Sequence, residues 1–524
     1  MESTLHIVDY LVLATYLLFI VIFGVSFAWK QKSTNHYFAA SGGLPSWAVG
    51  LSILATLISS VTFLAYPGAG YNSNWILLVQ GLMVPIVLIF LVNFIVPLYR
   101  KVIGISTYEY FEKRFGYIAR LYTSFAFTMA HFSKMGTVFF LLALALASMA
   151  GLNIYMVIIV LGVIIILYTL LGGIEAVIWL DVIQGIMLFL GGVMCLIVMF
   201  VVAPANMFEM IGHAWEMDKI GFGPYDWDFT KLTFIVIALN GIFYAIQKYG
   251  TDQTIVQRYL TARSHKEAVK ASLVGVLLCV PVWTLFMFIG SMLFSFYELS
   301  EFAVPEGTRP DAVFPYFITT QLPIGVTGLI LAALSAAALS SLDSDLNSLA
   351  AVGVEDYYKR LKPDRTDKHY LLVGRMIVVG CGIAALGVAF MYVQAEGETV
   401  LGIVFALYAI FSGGIAGLFL LGVFTKRANK QGVTVGIIAC ILFTGWAMLT
   451  SVNIGPGGKP FLDLGNYNYT HHSYMLGVYT HFILFGVSYL ASFMFPAHSA
   501  DDSLTIYGYW KDNKALRDNV SNTQ

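Results

Sequence analysis

The sequence has little charge. Only 11% of its 524 residues are Asp, Glu, Lys or Arg, whereas 58% are hydrophobic. Ordinary soluble domains carry roughly a quarter charged residues, so this composition excludes a typical soluble protein. The net charge of -1 gives no indication of a nucleic-acid partner, and none is expected.

Cysteine is also scarce, and the motifs of soluble enzymes are missing. The four cysteines, Cys195, Cys279, Cys381 and Cys440, stand alone in apolar segments. Their spacing fits neither a metal site nor a disulfide framework. No phosphate-binding glycine loop, zinc spacing or nucleophile motif occurs in a suitable context. The sequence therefore predicts that the protein is not an enzyme.

Long hydrophobic runs are abundant instead. A membrane-spanning helix needs about 20 mostly apolar residues, and thirteen segments qualify. The sequence predicts an all-α polytopic protein of the cell membrane, either a plasma membrane or a bacterial inner membrane, in contact with lipid. The predicted spans are 7–28, 46–68, 75–98, 118–148, 154–171, 180–203, 232–250, 268–295, 324–353, 370–392, 399–423, 433–451 and 476–496.

Lysine and arginine alternate between the loops that connect these spans. One set of loops contains 21 basic residues and the other contains four. Because basic loops stay in the cytoplasm, this asymmetry predicts an N-terminus outside and a C-terminus inside. We expect one transmembrane domain, 1–499, followed by a cytoplasmic tail, 500–524. The sequence leaves the oligomeric state open, a monomer included.

Two spans contain interruptions at membrane depth. Hydroxyl residues run through the second span from Ala55 to Phe63, and Asn240-Gly241 interrupts the seventh. Paired interruptions five helices apart indicate inverted repeats with a binding site near the membrane midplane. The predicted repeats are 46–203 and 232–423, with the first helix, 7–28, before them and two extra helices, 433–496, after them.

The ninth span, Gly325 to Tyr357, carries serines, aspartates and an asparagine, which are costly at membrane depth unless they face something polar. Oxygen ligands without Cys or His favour an alkali or alkaline-earth cation. The serines could instead bond carbonyls of their own helix. We predict a sodium site, with sodium as the coupling ion. Its ligands would be the carbonyls of Ala55, Ile58 and Ala337 and the side chains of Ser340 and Ser341.

Acidic residues suggest a second site. The predicted span 180–203 places Asp181 at the start of a helix, where the helix dipole alone would favour an acid. It could also face Asp343 and Ser344 to form a second cation site or a proton relay. Asp343 and Asp345 are two residues apart and point about 200° apart on a helix. We assign Asp343 to the ion side and leave Asp345 unassigned.

Lys134 is the one basic residue deep in a predicted span. It could pair with a carboxylate of the protein or bind an anionic group of a solute. Near the end of the seventh span, Gln247, Lys248 and Tyr249 are candidates for an inner gate.

Three stretches resemble a known family. The run from Gly172 to Gln184 is similar to the GGIxxVIWTDVIQ signature of the sodium:solute symporters, as are Gln257 to Leu260 and Ala336 to Asn347. The resemblance implies leucine-transporter-like inverted repeats and a sodium site as described above. It also implies that some members use a second site, at Asp181 and near Ser344.

Within that family the pattern is most similar to bacterial sialic acid symporters. These have an arginine where this chain has Lys134, a threonine where it has Leu57 and a glutamine where it has Gly81. The resemblance implies sodium-coupled import of a small polar solute, a sugar or a sugar acid. A sodium- or proton-coupled carrier of monocarboxylates or other organic anions is the alternative, ahead of a channel or a membrane sensor. The expected solute contacts are Leu57, Ser59, Thr62, Leu77, Gly81 and Lys134.

Overall fold

The computed structural model describes residues 5–394, 413–452, 459–496, 501–508 and 511. Over these residues it is helical, with no strand beyond one isolated bridge between Leu44 and Ala262. The all-α class predicted from the sequence is therefore confirmed. The main helices are Ile7–Val25, Ser46–Leu57, Ser60–Asn72, Leu78–Val102, Tyr117–Ala150, Ile154–Val202, Phe234–Gly250, Gln253–Thr261, His265–Glu298, Val326–Val352, Asp367–Gln394, Ile415–Phe424, Lys430–Ser451 and Ser473–Ser492.

Several helices are long and apolar enough to cross a membrane. Within the described part of the chain there are nine, or ten if the bent pair Ser46–Leu57 and Ser60–Asn72 counts as one crossing. Two further apolar helices, Phe234–Gly250 and Ile415–Phe424, are shorter. Most of the predicted span 399–423 and most of the predicted tail 500–524 lie outside the described residues. Thirteen crossings and the orientation of the termini therefore stay predictions.

The helix Ile154–Val202, here called the kinked helix, is 49 residues long and covers two predicted spans. It bends at Gly173, where φ is 61° and ψ is -167°. A Cβ at this position would lie 2.8 Å from the side-chain oxygen of Gln31 and 2.9 Å from the ring of Tyr37. Glycine is needed here because both the positive φ and the close packing exclude a side chain.

The second predicted span is broken. Helix Ser46–Leu57 ends before two extended residues, Ile58 and Ser59, and helix Ser60–Asn72 continues at an angle of 57°. We call these two helices the broken pair. The side chain of Ser59 caps the second helix by accepting a hydrogen bond from the backbone N–H of Val61 at 3.2 Å. The extended residues leave backbone carbonyls of the first helix without their usual helical partners.

The interruption predicted in the seventh span lies elsewhere. Helix Phe234–Gly250 runs without a break through Asn240 and Gly241. Gly241 serves close packing instead, because a Cβ there would lie 2.9 Å from the carbonyl oxygen of Gln80. The chain leaves the helix at Thr251, and the side chain of Asp252 caps the next helix. The break therefore comes ten residues later than the sequence suggested.

The helix Val326–Val352, here called the central helix, is enclosed by other helices. Every residue from Ile330 to Val352 is buried. It packs against the first helix, the kinked helix, helix Tyr117–Ala150 and the broken pair. A helix that is buried on all sides can carry polar groups only where its neighbours supply partners. The serines and aspartates of this helix must therefore be satisfied by the protein or by a bound ion.

Candidate cation sites and solute cavity

A cavity of about 400 Å³ lies beside the break in the broken pair. Its wall combines hydroxyl, amide and charged groups with apolar and aromatic side chains, as small-solute sites commonly do. The residues that line it include Thr56, Leu57, Ser59, Tyr108, Phe127, His131, Ser133, Lys134, Thr137, Tyr244, Gln247, Lys248, Thr251 and Asp252.

The central helix meets the broken pair at a cluster of oxygens. The hydroxyl of Ser340 lies within hydrogen-bond distance of two carbonyl oxygens, that of Ala55 at 3.1 Å and that of Ala337 at 3.2 Å. The hydroxyl of Ser341 lies 3.4 Å from the carbonyl of Thr56. These atoms are hard oxygen donors, which suit a cation such as sodium.

Four of the five predicted sodium ligands, Ala55, Ala337, Ser340 and Ser341, are thus brought together. The fifth, Ile58, lies in the extended segment between the two helices of the broken pair. Both serines reach across to the neighbouring helix. Ser335, by contrast, bonds the carbonyl of Leu331 in its own helix at 2.8 Å, with no cross-helix bond among the described residues. The cross-helix contacts distinguish Ser340 and Ser341 from a serine that merely completes its own helix.

A second polar cluster surrounds Asp181. Its carboxylate accepts hydrogen bonds from the Ser52 hydroxyl and, at 2.8 Å, from Arg258 Nη2. The same Nη2 lies 2.7 Å from the hydroxyl of Ser344. Asp343 is nearby and accepts a hydrogen bond from the Tyr168 hydroxyl at 2.9 Å and one from Ser344 at 3.3 Å. The structure therefore brings the three predicted second-site residues together.

Arg258 is the residue that sequence reasoning missed in this cluster. It is fully buried, and the sequence had singled it out only as part of a family motif. A buried arginine is rare unless it is paired, and the buried partners here are Asp181 and Ser344. With Asp343 the cluster holds two carboxylates and one guanidinium, so one monovalent cation would balance its charge.

Asp181 is not a helix-terminal acid. It lies eight residues beyond the bend at Gly173, about two turns into the second arm of the kinked helix. The helix dipole acts only within the first turn. Its environment is instead set by the ion pair with Arg258, whose side chain, like that of Asp181, has no exposed surface.

Lys134 pairs with a carboxylate of the protein. Its amine lies 3.1 Å from both oxygens of Asp345, which the sequence had left unassigned. About a third of the Lys134 side chain, 32%, remains exposed, and it lines the cavity. Of the two interpretations of Lys134, the structure shows the internal ion pair and leaves the amine within reach of a solute.

The other predicted solute contacts divide into two groups. Leu57 and Ser59 line the cavity together with Lys134, whereas Thr62, Leu77 and Gly81 do not. Thr62 is buried in the second helix of the broken pair. Leu77 packs into a separate apolar cluster.

Gly81 is covered by Trp283. A Cβ at Gly81 would lie 2.5 Å from the indole ring, which is itself 4% exposed. A side chain at this position therefore has no room to reach a solute.

Two of the three predicted gate residues, Gln247 and Lys248, line the cavity. Tyr249 points elsewhere and is buried, and its carbonyl accepts a hydrogen bond from the Tyr259 hydroxyl at 2.9 Å. Successive residues of a helix are about 100° apart, so three consecutive residues cannot all face one cavity.

Gly81→Ala should destabilise the protein by about 1–3 kcal/mol, because the added methyl group overpacks against a buried indole. Thermal unfolding of the purified protein measures this change. Gly380→Ala is the matched control, since nothing among the described residues lies within 4 Å of a Cβ there. If the two variants are equally stable and Gly81→Ala alters solute binding, the packing explanation is wrong and Gly81 is part of the solute site.

Comparison with known proteins agrees with this geometry. Residues 37–440 match the model of the sodium:solute symporter family. The sodium/sialic acid symporter NanT of Aliivibrio fischeri is 35% identical over 84% of this chain and 87% of its own. SiaT of Proteus mirabilis, also a sodium/sialic acid symporter, is 34% identical over 83% and 88%. The sodium/glucose cotransporter of Vibrio parahaemolyticus is 30% identical over 88% of each chain.

Solved structures give the same result. A Na+-coupled sialic acid symporter in a substrate-bound outward-open state aligns with a TM-score of 0.86 at 30% identity, over 95% of this chain and all of that one. A nucleobase-cation-symport-1 family transporter shares the fold, with a TM-score of 0.56 at 15% identity over 87% and 95%. The relatives are symporters, which confirms the expectation of a membrane transporter rather than an enzyme. The chain belongs to the sodium:solute symporter family.

Proposed function

We propose that this protein is a sodium-coupled symporter that imports a sugar or a sugar acid by alternating access. The main support for the proposal is the break in the broken pair. The break at Ile58 and Ser59 places the Ala55 carbonyl beside Ser340, while Leu57 and Ser59 open into the cavity. Cation and solute would therefore share one interruption in one helix.

The transport cycle follows from this shared element. Sodium between Ala55, Ile58, Ala337, Ser340 and Ser341 would hold the broken pair against the central helix. Its departure to the cytoplasm would loosen that contact and release the solute. Because sodium binds the two arrangements with different affinity, its gradient shifts their populations.

A second sodium ion would bind beside Asp181, Asp343 and Ser344. The support is electrostatic, since the cluster contains one more carboxylate than guanidinium. Arg258 would hold Asp181 in place while the ion sits toward Asp343. Lys134 and the gate candidates Gln247 and Lys248 would contact or enclose the solute, and the proposed set keeps Leu57 and Ser59.

The proposed topology has thirteen crossings, with the N-terminus outside and the C-terminus inside. The kinked helix supports this count, because 49 residues exceed twice the length that one crossing needs. The two five-helix repeats would be 46–203 and 232–423, within a single transmembrane domain of residues 1–499.

A solute that raises thermal stability in sodium and not in potassium is the expected result of a ligand screen. The panel contains sialic acid, neutral sugars, monocarboxylates and amino acids, each added to the purified protein. Ligand at about 100 times its Kd stabilises the folded state by about 2.7 kcal/mol. Potassium is the matched control. Equal stabilisation in both salts would contradict sodium coupling.

A further inference from the structure

His131 lies between two carboxylates at the edge of the cavity. Its Nδ1 is 2.7 Å from Oδ1 of Asp345, and its Nε2 is 3.2 Å from Oδ2 of Asp252. A neutral imidazole donates from one nitrogen only, so its second nitrogen would direct a lone pair at a carboxylate oxygen. An imidazolium donates from both nitrogens and satisfies both contacts. This arrangement therefore fits the protonated ring.

The charged side chains around His131 are two acidic and two basic ones. The central helix contributes Asp345, and helix Tyr117–Ala150 contributes Lys134. Asp252 lies after helix Phe234–Gly250, whose Lys248 contacts it at 2.6 Å. Thr254 hydrogen bonds both Asp252 and Lys248, and the neutral hydroxyl of Tyr108 lines the same part of the cavity. On His131's own helix, the apolar ring of Phe127 covers one imidazole face at 4.0 Å.

The charges of the two lysines and the two aspartates sum to zero. The protonation state of His131 therefore sets the net charge of these five residues, here called the charged wall of the cavity. With a neutral ring the network has no net charge, and with an imidazolium it carries one positive charge. His131 is only 4% exposed and Asp345 is fully buried. The lysines Lys134 and Lys248 line the cavity and would meet any solute there. A buried charge is stabilised by a partner of opposite sign.

We propose that His131 is a proton-binding site, and that the proton it holds makes this wall singly positive and selects a monoanionic solute. The assignment of a proton to His131 depends only on the contacts of its two ring nitrogens with Asp345 and Asp252. The choice of solute rests on the symport function proposed above. A carboxylate of the solute would supply the missing negative charge, with Lys134 and Lys248 as its nearest donors.

The direction of the pH effect follows from this charge balance. As pH rises and His131 loses its proton, the wall becomes neutral and one nitrogen turns a lone pair toward a carboxylate. Binding of a monoanion should therefore weaken with rising pH. Binding of a neutral sugar has no such link to the protonation of His131.

Nitrogen NMR of the full-length protein labelled with ¹⁵N-histidine tests the proton site without a solute. We expect one histidine of the ten to keep the imidazolium pattern at pH 7.5, and His131→Gln to remove that signal. If the signal lost in His131→Gln shows a neutral tautomer, the proposal is overturned. Should that variant fail to fold, His131→Asn gives the same decision. It should also remove the persistent imidazolium signal, and an imidazolium signal that remains contradicts the proposal.

Thermal stability in sodium tests the choice of solute. The anionic probes are sialic acid, gluconate and pyruvate, and the neutral probes are glucose and galactose. We expect an anion to stabilise the protein better at pH 6.5 than at pH 8.5, and His131→Gln to weaken its binding roughly tenfold. A neutral sugar as the sole stabiliser, or anion binding unchanged in His131→Gln, overturns the selection of an anion. If no probe distinguishes sodium from potassium, the symport proposal fails, while the NMR result still decides the proton site.

Discussion

Replacing Ser340 and Ser341 together by alanine should abolish sodium-stimulated uptake at physiological sodium. Their hydroxyls are the two side-chain oxygens among the five proposed ligands, and both reach the broken pair. Each hydrogen bond or ligand contact to a charge is worth about 1.5–3 kcal/mol. Loss of both should lower the apparent sodium affinity at least 100-fold. Uptake by reconstituted protein, measured against sodium concentration, gives this affinity directly.

Ser335→Ala is the matched control for this experiment. Ser335 lies on the same helix and is equally buried, but within the described part of the chain its hydroxyl bonds its own helix alone, at Leu331. The control should therefore keep its sodium dependence. Normal sodium activation in the Ser340 and Ser341 double variant would remove the proposed sodium site, because no other side-chain ligands were assigned to it.

Arg258→Gln should destabilise the protein by about 3–5 kcal/mol. Removing one partner of a buried ion pair leaves the other charge uncompensated, and that loss falls in this range. Here the loss is aggravated because Asp343 is a second carboxylate in the same cluster, joined to it through Ser344. Thermal unfolding in detergent, at fixed sodium concentration, measures the change.

Two further variants show whether the loss of stability in Arg258→Gln comes from its charge. Arg309→Gln breaks an ion pair whose arginine side chain is 78% exposed, and such surface pairs are worth about 0–1 kcal/mol. It should leave stability nearly unchanged. Asp181→Asn combined with Arg258→Gln should recover part of the lost stability, because it removes the uncompensated charge. A double variant as unstable as Arg258→Gln alone would show that Arg258 acts through packing rather than through its charge.

The features that the sequence predicted are local ones. The helical spans follow from apolar runs of sufficient length, and the hydroxyl-rich stretch around Ser59 correctly marked the break in the second span. The serines and aspartates of the central helix could be identified as a candidate site because polar groups in an apolar helix are costly without partners. These inferences need only neighbouring residues, so they do not depend on how the helices pack.

The features that were missed depend on contacts between distant segments. Arg258 is 77 residues from Asp181, and His131 is 214 residues from Asp345. Those pairs form only for particular rotations and heights of the packed helices, which one sequence does not reveal. The sequence carried no such signal for Arg258, because its need for a partner follows from its burial, which only the packed helices show.

Asn240 and Gly241 show a different ambiguity. Glycine in an apolar segment marks either a break in the helix or a close approach of two helices. The sequence favoured a break, whereas the structure uses Gly241 for packing against Gln80. Asp252, eleven residues after Gly241, caps the next helix and so marks where helix Phe234–Gly250 has ended.

The bend at Gly173 joins the two arms of the kinked helix without a connecting loop. A loop absorbs displacement because many of its torsions can rotate, but a single glycine packed against Gln31 and Tyr37 has little freedom. The two arms should therefore move as one unit. A shift of the arm that carries Asp181 should tilt the other arm as well, which would couple an ion at the proposed second site to that arm.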